Sequence, residues 1–202
     1  MIILDCDQQS PEWFAARAGR PTASCFDQII TPKNMKPSAS AQRYLYTLAG
    51  ERITGVKAES FQSAWMERGT QIEDEARTLF EIVQGREVKK VGLVYPDEKK
   101  LYSCSPDGLM EIEGLEVKCP AMYTHVGYLL GGCLPTDYIA QVQGSMLVTG
   151  YPAWWFLSYY PGLPPFMVKV YRDDAFCARL RIELESFCER LDEVEAKLRR
   201  LA

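Results

Sequence analysis

The stretch "SPDGLMEIEGLEVKCP", residues 105–120, decides the fold that this sequence predicts. It opens on a proline-aspartate-glycine corner, which is typical of a tight turn, and continues with residues that are typical of short strands. Side chains two positions apart on a strand point to the same face of a sheet. We therefore expect Glu116 and Lys118 to project together, while Val117 and Cys119 face the other way.

Asp107 joins the same arrangement if the segment folds back as a hairpin over Glu113 and Gly114. Two carboxylates that face each other are unfavourable without a cation, and Mg²⁺ prefers such hard oxygen ligands. The carbonyl of Val117 would supply another oxygen. On spacing alone two interpretations stay open: a metal site made by Asp107 and Glu116, and a surface hairpin in which a glutamate contacts a lysine.

The composition is that of an ordinary globular protein. The chain has 202 residues, of which 47% are hydrophobic and 25% are charged. This length favours one domain over residues 1–202 rather than two small ones. The net charge of −4 argues against a protein that coats nucleic acid through a uniformly basic surface. It is compatible with an enzyme that has a local basic groove beside an acidic metal site.

Several features of the sequence predict a cytoplasmic location. No apolar run is long enough to span a bilayer, and the acidic start "MIILDCDQQSPEW" lacks the basic leader of a signal peptide. The seven cysteines show neither CxxC nor zinc-site spacing, so we interpret them as reduced and mostly buried thiols. His125 is the only histidine, which excludes catalytic mechanisms that need two histidines. We expect the role of His125 to be structural.

The hydrophobic pattern predicts an α/β fold with a mixed central β-sheet flanked by helices. Helical spacing and capping residues predict helices over 10–19 (N-cap Ser10), 22–30 (cap Thr22), 64–83, 136–150 and 173–200. β-Branched and aromatic residues predict strands over 88–96, 101–105, 108–114, 115–120, 153–160 and 166–172. Residues 31–40, rich in proline, lysine and serine, are expected to form a loop.

Six segments spread over most of the chain resemble, in order, the phage lambda exonuclease or YqaJ-like viral recombinase family of PD-(D/E)xK nucleases. The segments are "WFAARAGRPTAS" (13–24), "RGTQIEDEARTLFE" (68–81), "CSPDGL" (104–109), "LEVKCP" (115–120), "AQVQGSM" (140–146) and "AWWFLSYYP" (153–161). Each motif alone is degenerate, but their order and compatible spacing make the set specific. The resemblance implies a restriction-endonuclease-like core.

The resemblance also implies roles for the residues of the opening stretch. Asp107 and Glu116 would be metal ligands, and the carbonyl of Val117 would lie beside them. Lys118 would position or activate the attacking water. The implied cofactor is Mg²⁺, for which Mn²⁺ is expected to substitute, and two ions are expected.

The helix predicted over 64–83 offers one more acid to this site. Its apolar stripe is expected to comprise residues at helical spacing: Ile72, Ala76, Leu79 and Val83. The resemblance implies that Glu73 completes the metal site, and its spacing to Ala76 places it at the border of that stripe. Glu75 also borders the stripe and stays as the alternative. Asp74 and Arg77 are expected on the wetter side.

We expect a phosphate-binding pocket next to the metal site. If Thr22 caps a helix, the free N–H groups of that helix end attract phosphate, and Arg17 adds charged donors. The resemblance implies that the 5′ phosphate contacts four side chains: Arg17, Ser24, Ser105 and Gln141. Since Ser105 precedes Asp107 by two residues, the pocket and the metal site would adjoin. Stepwise cleavage from a 5′ end requires such a junction.

Together these expectations describe a Mg²⁺-dependent 5′→3′ exonuclease that degrades one strand of linear double-stranded DNA to mononucleotides and leaves a 3′ single-stranded tail. The resemblance further implies a homotrimeric ring around DNA and a single-strand annealing protein as the partner in phage-type recombination, with no membrane involved. Two alternatives stay open. One is a PD-(D/E)xK endonuclease, and the other is a non-catalytic DNA-binding scaffold of the same fold.

Overall fold

The fold is that of a computed structural model, which describes residues 1–58 and 64–201, without the side chains of residues 64–71. The helices are α1 (Pro11–Arg17), α2 (Ala41–Thr54), α3 (Ala64–Gln84), α4 (Met122–Gly131), α5 (Ile139–Thr149) and α6 (Asp174–Arg199). Short 3-10 helices cover Ala23–Gln28 and Thr136–Tyr138. The strands are β1 (Ile2–Leu4), β2 (Ile30–Thr31), β3 (Lys36–Pro37), β4 (Leu93–Tyr95), β5 (Gly108–Leu109), β6 (Glu113–Lys118), β7 (Ala153–Ser158) and β8 (Phe166–Tyr171).

A mixed four-stranded sheet in the order β5-β6-β7-β8 lies at the centre, which confirms the predicted fold class. β6 runs parallel to β7, and the outer pairs β5/β6 and β7/β8 are antiparallel. The hairpin between β5 and β6 turns at residues 110–112, so the prediction of a turn over Glu113 and Gly114 was wrong. The reason is that both residues already pair with β7, where Glu113 faces Ala153 and Gly114 faces Trp154.

Helices cover both faces of this sheet. On one face, Leu115 and Val117 of β6 pack with Ala76 and Phe80 of α3. The other face belongs to the main core cluster, in which Trp154 and Phe156 of β7 pack with residues of α2, α5 and α6. Two-sided burial explains why β7 is apolar at consecutive positions rather than at alternate ones.

The helical pattern was only partly predicted. α2 and α4 were missed, although α2 buries Tyr44, Leu45 and Leu48 at helical spacing and ends at Gly55, which adopts the left-handed conformation. α3 and α6 lie where they were expected. Within α3 the prediction for Val83 was wrong, since this residue is 54% exposed and the larger Phe80 takes the buried position.

Three strand and loop predictions also need correction. Residues 101–105 form single bridges instead of a strand, from Ser103 to Thr22 and from Cys104 to Val94. On the Pro106 side the pairing cannot continue, because proline has no N–H group to donate. The strand expected over 88–96 is shorter, namely β4, and it pairs with β1. The loop expected over 31–40 contains the hairpin of β2 and β3.

His125 has a structural environment, as predicted. Its ring is fully buried, with Nδ1 2.8 Å from Ser158 Oγ and Nε2 3.0 Å from the carbonyl of Pro164. Because a carbonyl only accepts, Nε2 carries the proton and Nδ1 accepts from the serine hydroxyl. The ring therefore joins α4 to β7. Within the described residues, no helix combines the length and the apolar character that a membrane crossing needs.

Candidate metal and phosphate site

Strand β6 places Glu116 and Lys118 on one face, where the ammonium of Lys118 contacts the Glu116 carboxylate. Glu116 is only 2% exposed. Gln141 of α5 donates its Nε2–H to the same carboxylate oxygen at 2.5 Å. Val117 points to the opposite face, against α3. One cation and one amide therefore hold a buried carboxylate at the end of the central strand.

Asp107 lies immediately before β5 and reaches across to β6. Its Oδ2 accepts the N–H of Val117 at 2.6 Å, while its own N–H donates to the carbonyl of Leu115 at 3.1 Å. These two bonds fix the carboxylate beside the backbone between Glu116 and Lys118. The hairpin thus brings together the three residues that were expected to meet.

Arg77 of α3 joins a third acid to this group. Its Nη2 donates to Glu73 Oε1 at 2.6 Å, and its Nε donates to the backbone carbonyl of Asp107 at 2.8 Å. Its Nη1 donates to Asp74 Oδ1 at 2.5 Å. Arg77 is 6% exposed, so its placement on the wetter side was wrong. A buried guanidinium needs several acceptors, and this one finds them at the site.

The two candidate glutamates of α3 have different partners. Glu73 binds Arg77, whose guanidinium also binds Asp107. The carboxylate of Glu75 accepts the hydroxyl of Tyr159 instead. The structure therefore brings Glu73 to the other acids and turns Glu75 away from them. The role of Arg77 was missed in the sequence, although Glu73 and Arg77 have the i,i+4 spacing of a helical ion pair.

Burial raises the pKa of all three acids of the site. For Glu73 and Glu116 burial is the largest cause, and the charge of Asp107 adds to it. Burial also raises the pKa of Asp107, against the opposing effect of Lys118. Burial alone would lower the pKa of Lys118, but Glu116 and Asp107 outweigh it and raise this pKa above its ordinary value. The nearby cations therefore do not fully compensate the carboxylates.

This donor set fits a hard divalent cation. Carboxylate oxygens are the ligands that Mg²⁺ prefers, and its charge would relieve the repulsion among the acids. As the side chains of the described residues stand, no group of three or more His, Cys, Asp or Glu is arranged to hold a metal ion. Glu116 and Glu73 contact Lys118 and Arg77 instead.

Arg17 gathers the hydroxyl groups of the expected phosphate pocket. Its Nη1 donates to Ser105 Oγ at 2.9 Å, and its Nη2 donates to Thr22 Oγ1 at 3.2 Å and to Ser24 Oγ at 3.3 Å. The guanidinium lies over the ring of Trp13, 4.2 Å from its centroid, and Trp13 Nε1 also donates to Ser105 Oγ at 2.9 Å. Arg17 Nε is buried without a hydrogen-bond partner in the described part of the chain. An unused charged donor among hydroxyls suits a phosphate.

The expected helix cap at Thr22 was wrong. Ala23–Gln28 is a 3-10 helix of six residues, and the Thr22 side chain makes no capping bond to it. The hydroxyl of Thr22 is instead bound to Arg17 and to Ser24. The N–H of Ala23 donates to the carbonyl of Ser103 at 2.9 Å. A phosphate here would meet the guanidinium and the hydroxyls rather than a helix end.

Gln141 lies on the metal side of the junction. Its described side-chain hydrogen bond goes to Glu116 and not to the cluster around Arg17. The other glutamine of the motif, Gln143, is structural, because its amide binds the carbonyl of Tyr171 and the N–H of Asp173. The motif thus provides one glutamine to the site and one to the core.

Comparison with known proteins shows three similarities. The profile of the YqaJ-like viral recombinase domain matches residues 12–152. The alkaline exonuclease LHK-Exo from Laribacter hongkongensis is 34% identical, with a TM-score of 0.86 over 95% of this chain and 97% of that chain. Its complex with dAMP matches at 35% identity, with the same TM-score and coverage. A phage-related exonuclease from Haemophilus somnus 129PT is 14% identical, with a TM-score of 0.68 over 91% of this chain and 96% of that chain, and it shares the fold. No curated protein sequence matches.

Proposed function

This chain belongs to the YqaJ-like viral recombinase family, and we propose that, as an exonuclease of this family, it digests linear double-stranded DNA from the 5′ end as a single nuclease domain. It would release mononucleotides from one strand and leave a 3′ single-stranded tail. The observation that carries the proposal is the junction of the two halves of the site. Ser105, which binds Arg17, and Asp107, which binds β6, are separated by Pro106 alone.

The residues of the site would divide the chemistry as follows. Asp107, Glu116 and Glu73, with the carbonyl of Val117, would hold Mg²⁺, for which Mn²⁺ would substitute, and we propose two ions. When bound, such an ion stabilises charge on the phosphate and lowers the pKa of a water. Lys118 would position or activate the attacking water from its place beside Glu116.

Polarity follows from the phosphate pocket. Arg17, Thr22, Ser24 and Ser105 would bind the terminal 5′ phosphate, with Gln141 at the edge of the metal site. A strand anchored there would present its first phosphodiester bond to the acids, so that each cleavage would release one nucleotide. The L. hongkongensis relative was solved with dAMP. That compound is a nucleoside monophosphate, which supports mononucleotides as the product here.

We further propose a homotrimeric ring, a single-strand annealing protein as partner, and action in the cytoplasm. The description of the family as viral recombinase supports a recombination role, for which a 3′ tail is the strand that anneals. Sedimentation at working concentration tests the ring, and a pure monomer would count against it. None of the described cysteines forms a disulfide, which is compatible with a reducing compartment.

The decisive experiment digests linear duplexes that carry a 5′ phosphate or a 5′ hydroxyl, with each strand labelled separately, in Mg²⁺, Mn²⁺ or EDTA. We expect loss of the 5′-phosphorylated strand only, with a metal present. Covalently closed circular duplex should stay intact, and its cleavage would favour the endonuclease alternative. A preference for the 5′ hydroxyl would overturn the pocket around Arg17.

Lys118→Ala separates catalysis from binding. We expect this variant to lose cleavage while its affinity for duplex DNA stays close to that of the wild type. Lys99→Ala is the control, because Lys99 lines a separate cleft beside α6. Full activity of Lys118→Ala would refute the mechanism. Absence of cleavage by the wild type with every metal would favour the scaffold alternative.

A further inference from the structure

Lys57 and Arg17 both lie near the ring of Trp13. Its Nζ is 5.5 Å from the ring centroid of Trp13 and 5.5 Å from that of Phe14. The guanidinium carbon of Arg17 is 4.2 Å from the same Trp13 centroid. The two positive charges therefore lie within about 10 Å of each other, which is one Debye length at 0.1 M salt. At this distance they repel each other and jointly attract an anion.

Among the residues that the structure describes, Lys57 belongs to no ion pair. Burial lowers the pKa of this half-buried lysine, Arg17 lowers it further, and the charge of Glu51 opposes both. A lysine held beside an arginine under these conditions favours the arrival of a negative ligand.

Glu51 holds the two segments that carry these cations. It is 6% exposed, and its carboxylate accepts the N–H of Gly19 at 2.8 Å and the N–H of Ala58 at 2.9 Å. Gly19 follows Arg17 by two residues, and Ala58 follows Lys57 directly. The separation between the two cations is therefore fixed by a buried carboxylate of α2, so that it does not depend on chance contacts at the surface.

We propose that Lys57 is a second cation for the 5′-terminal phosphate that Arg17 binds, and this inference rests on the proposed function. A terminal phosphate monoester carries about −1.5 to −2 charges at pH 7, whereas an internal diester carries one. One guanidinium neutralises one unit, and the remainder calls for a second cation. The flexible stem of lysine allows its ammonium to meet the phosphate from the side of Trp13. The pair would thus distinguish a phosphorylated end from a hydroxyl end.

The test compares Lys57→Gln with the wild type, with Arg17→Gln and with the control Lys99→Gln. Dissociation constants are measured in EDTA by fluorescence anisotropy on duplexes labelled at the 3′ end, with a 5′ phosphate or a 5′ hydroxyl. We expect Lys57→Gln to weaken binding of the phosphorylated duplex about 10-fold, which corresponds to about 1.4 kcal/mol, and to change binding of the hydroxyl duplex by less than about 2-fold. The kcat/KM in Mg²⁺ should show the same discrimination. Lys99→Gln should resemble the wild type on both duplexes.

The outcomes separate the inference from the function on which it rests. Equal losses on both duplexes would mean that Lys57 packs on Trp13 or contacts DNA nonspecifically, and would overturn the inference. Wild-type discrimination in Lys57→Gln, together with lost discrimination in Arg17→Gln, would overturn it while leaving the pocket standing. A wild type that binds both ends equally, with no effect of Arg17→Gln, would overturn the pocket and the inference together.

Discussion

Replacement of Arg77 by lysine tests whether one guanidinium aligns the acids of the site. Arg77 makes three hydrogen bonds from one rigid plane, to the carbonyl of Asp107 and to the carboxylates of Glu73 and Asp74. Lysine keeps the charge and can still pair with Glu73 one helical turn away, but it lacks the planar fork that spans all three acceptors. The carbonyl of Asp107 then loses its donor.

Arg77→Lys should change both the stability and the activity of the protein. A buried acceptor left without its donor costs about 1–3 kcal/mol, so the free energy of unfolding should fall by about that amount. Activity should fall further, because a displacement of about 1 Å at a catalytic group costs on the order of 100-fold in rate. We expect kcat/KM on the phosphorylated duplex to fall about 100-fold, and the Mg²⁺ concentration for half-maximal rate to rise.

The assays are urea unfolding and the initial rate as a function of Mg²⁺ concentration. Arg86→Lys is the matched control, because Arg86 pairs with Glu113 at 2.7 Å at the opposite end of β6. It should lose some stability and keep both kcat/KM and its Mg²⁺ dependence. An Arg77→Lys enzyme with wild-type kcat/KM and Mg²⁺ dependence would refute the alignment. Loss of activity in both variants in proportion to stability would mean that Arg77 is only structural.

Three further predictions concern parts outside the metal site. Gly114→Ala should lower the free energy of unfolding by roughly 1–3 kcal/mol in urea, because the added Cβ would lie 2.3 Å from the buried ring of Trp154. The control Gly127→Ala, which has open space around it, should instead stabilise helix α4. Equal effects of the two substitutions would refute this prediction. Burial alone would raise the pKa of Glu113, but hydrogen bonds from its lysine, arginine and tryptophan partners lower it to about 2. The stability that Glu113 adds over Glu113→Gln should therefore be complete above its ordinary pKa and disappear as the pH falls toward 2, and a pH-independent difference in unfolding free energy would count against it. Lys33 and Lys36 lie in the segment 31–40, and we expect them to contact duplex DNA. Deletion within this segment should therefore slow digestion of duplex DNA, and an unchanged rate would show that these lysines do not contact it.

Elements with short-range signals could be predicted from the sequence. Alternation along β6 gave the shared face of Glu116 and Lys118, and helical spacing gave most of α3. The hairpin turn was misplaced because its register depends on pairing with β7, whose residues lie about forty positions further along. α2 carries readable signals in its apolar spacing and in Gly55, so this helix was predictable from the sequence.

In the candidate site, too, residues joined by local contacts could be predicted from the sequence, and residues joined by long-range contacts could not. Asp107, Glu116 and Lys118 meet through one hairpin, so local geometry was enough to expect their contact. Arg77 and Lys57 could not be found by such reasoning. Arg77 reaches Asp107 across thirty residues. Lys57 comes close to Trp13 where Glu51 of α2 binds the segments that carry them. Only tertiary structure shows what a long cationic side chain touches.

Two arginines of the site have opposite electrostatic states, and this difference assigns their roles. Arg77 donates hydrogen bonds to two carboxylates and one carbonyl, so its charge is neutralised within the protein. Arg17 bonds only to hydroxyl groups in the described part of the chain and keeps a buried Nε without a partner. A partly buried charge that is solvated by neutral groups alone is costly, and a dianionic ligand offsets that cost. Arg77 is therefore suited to holding acids in place, and Arg17, with Lys57 beside it, is suited to binding the substrate.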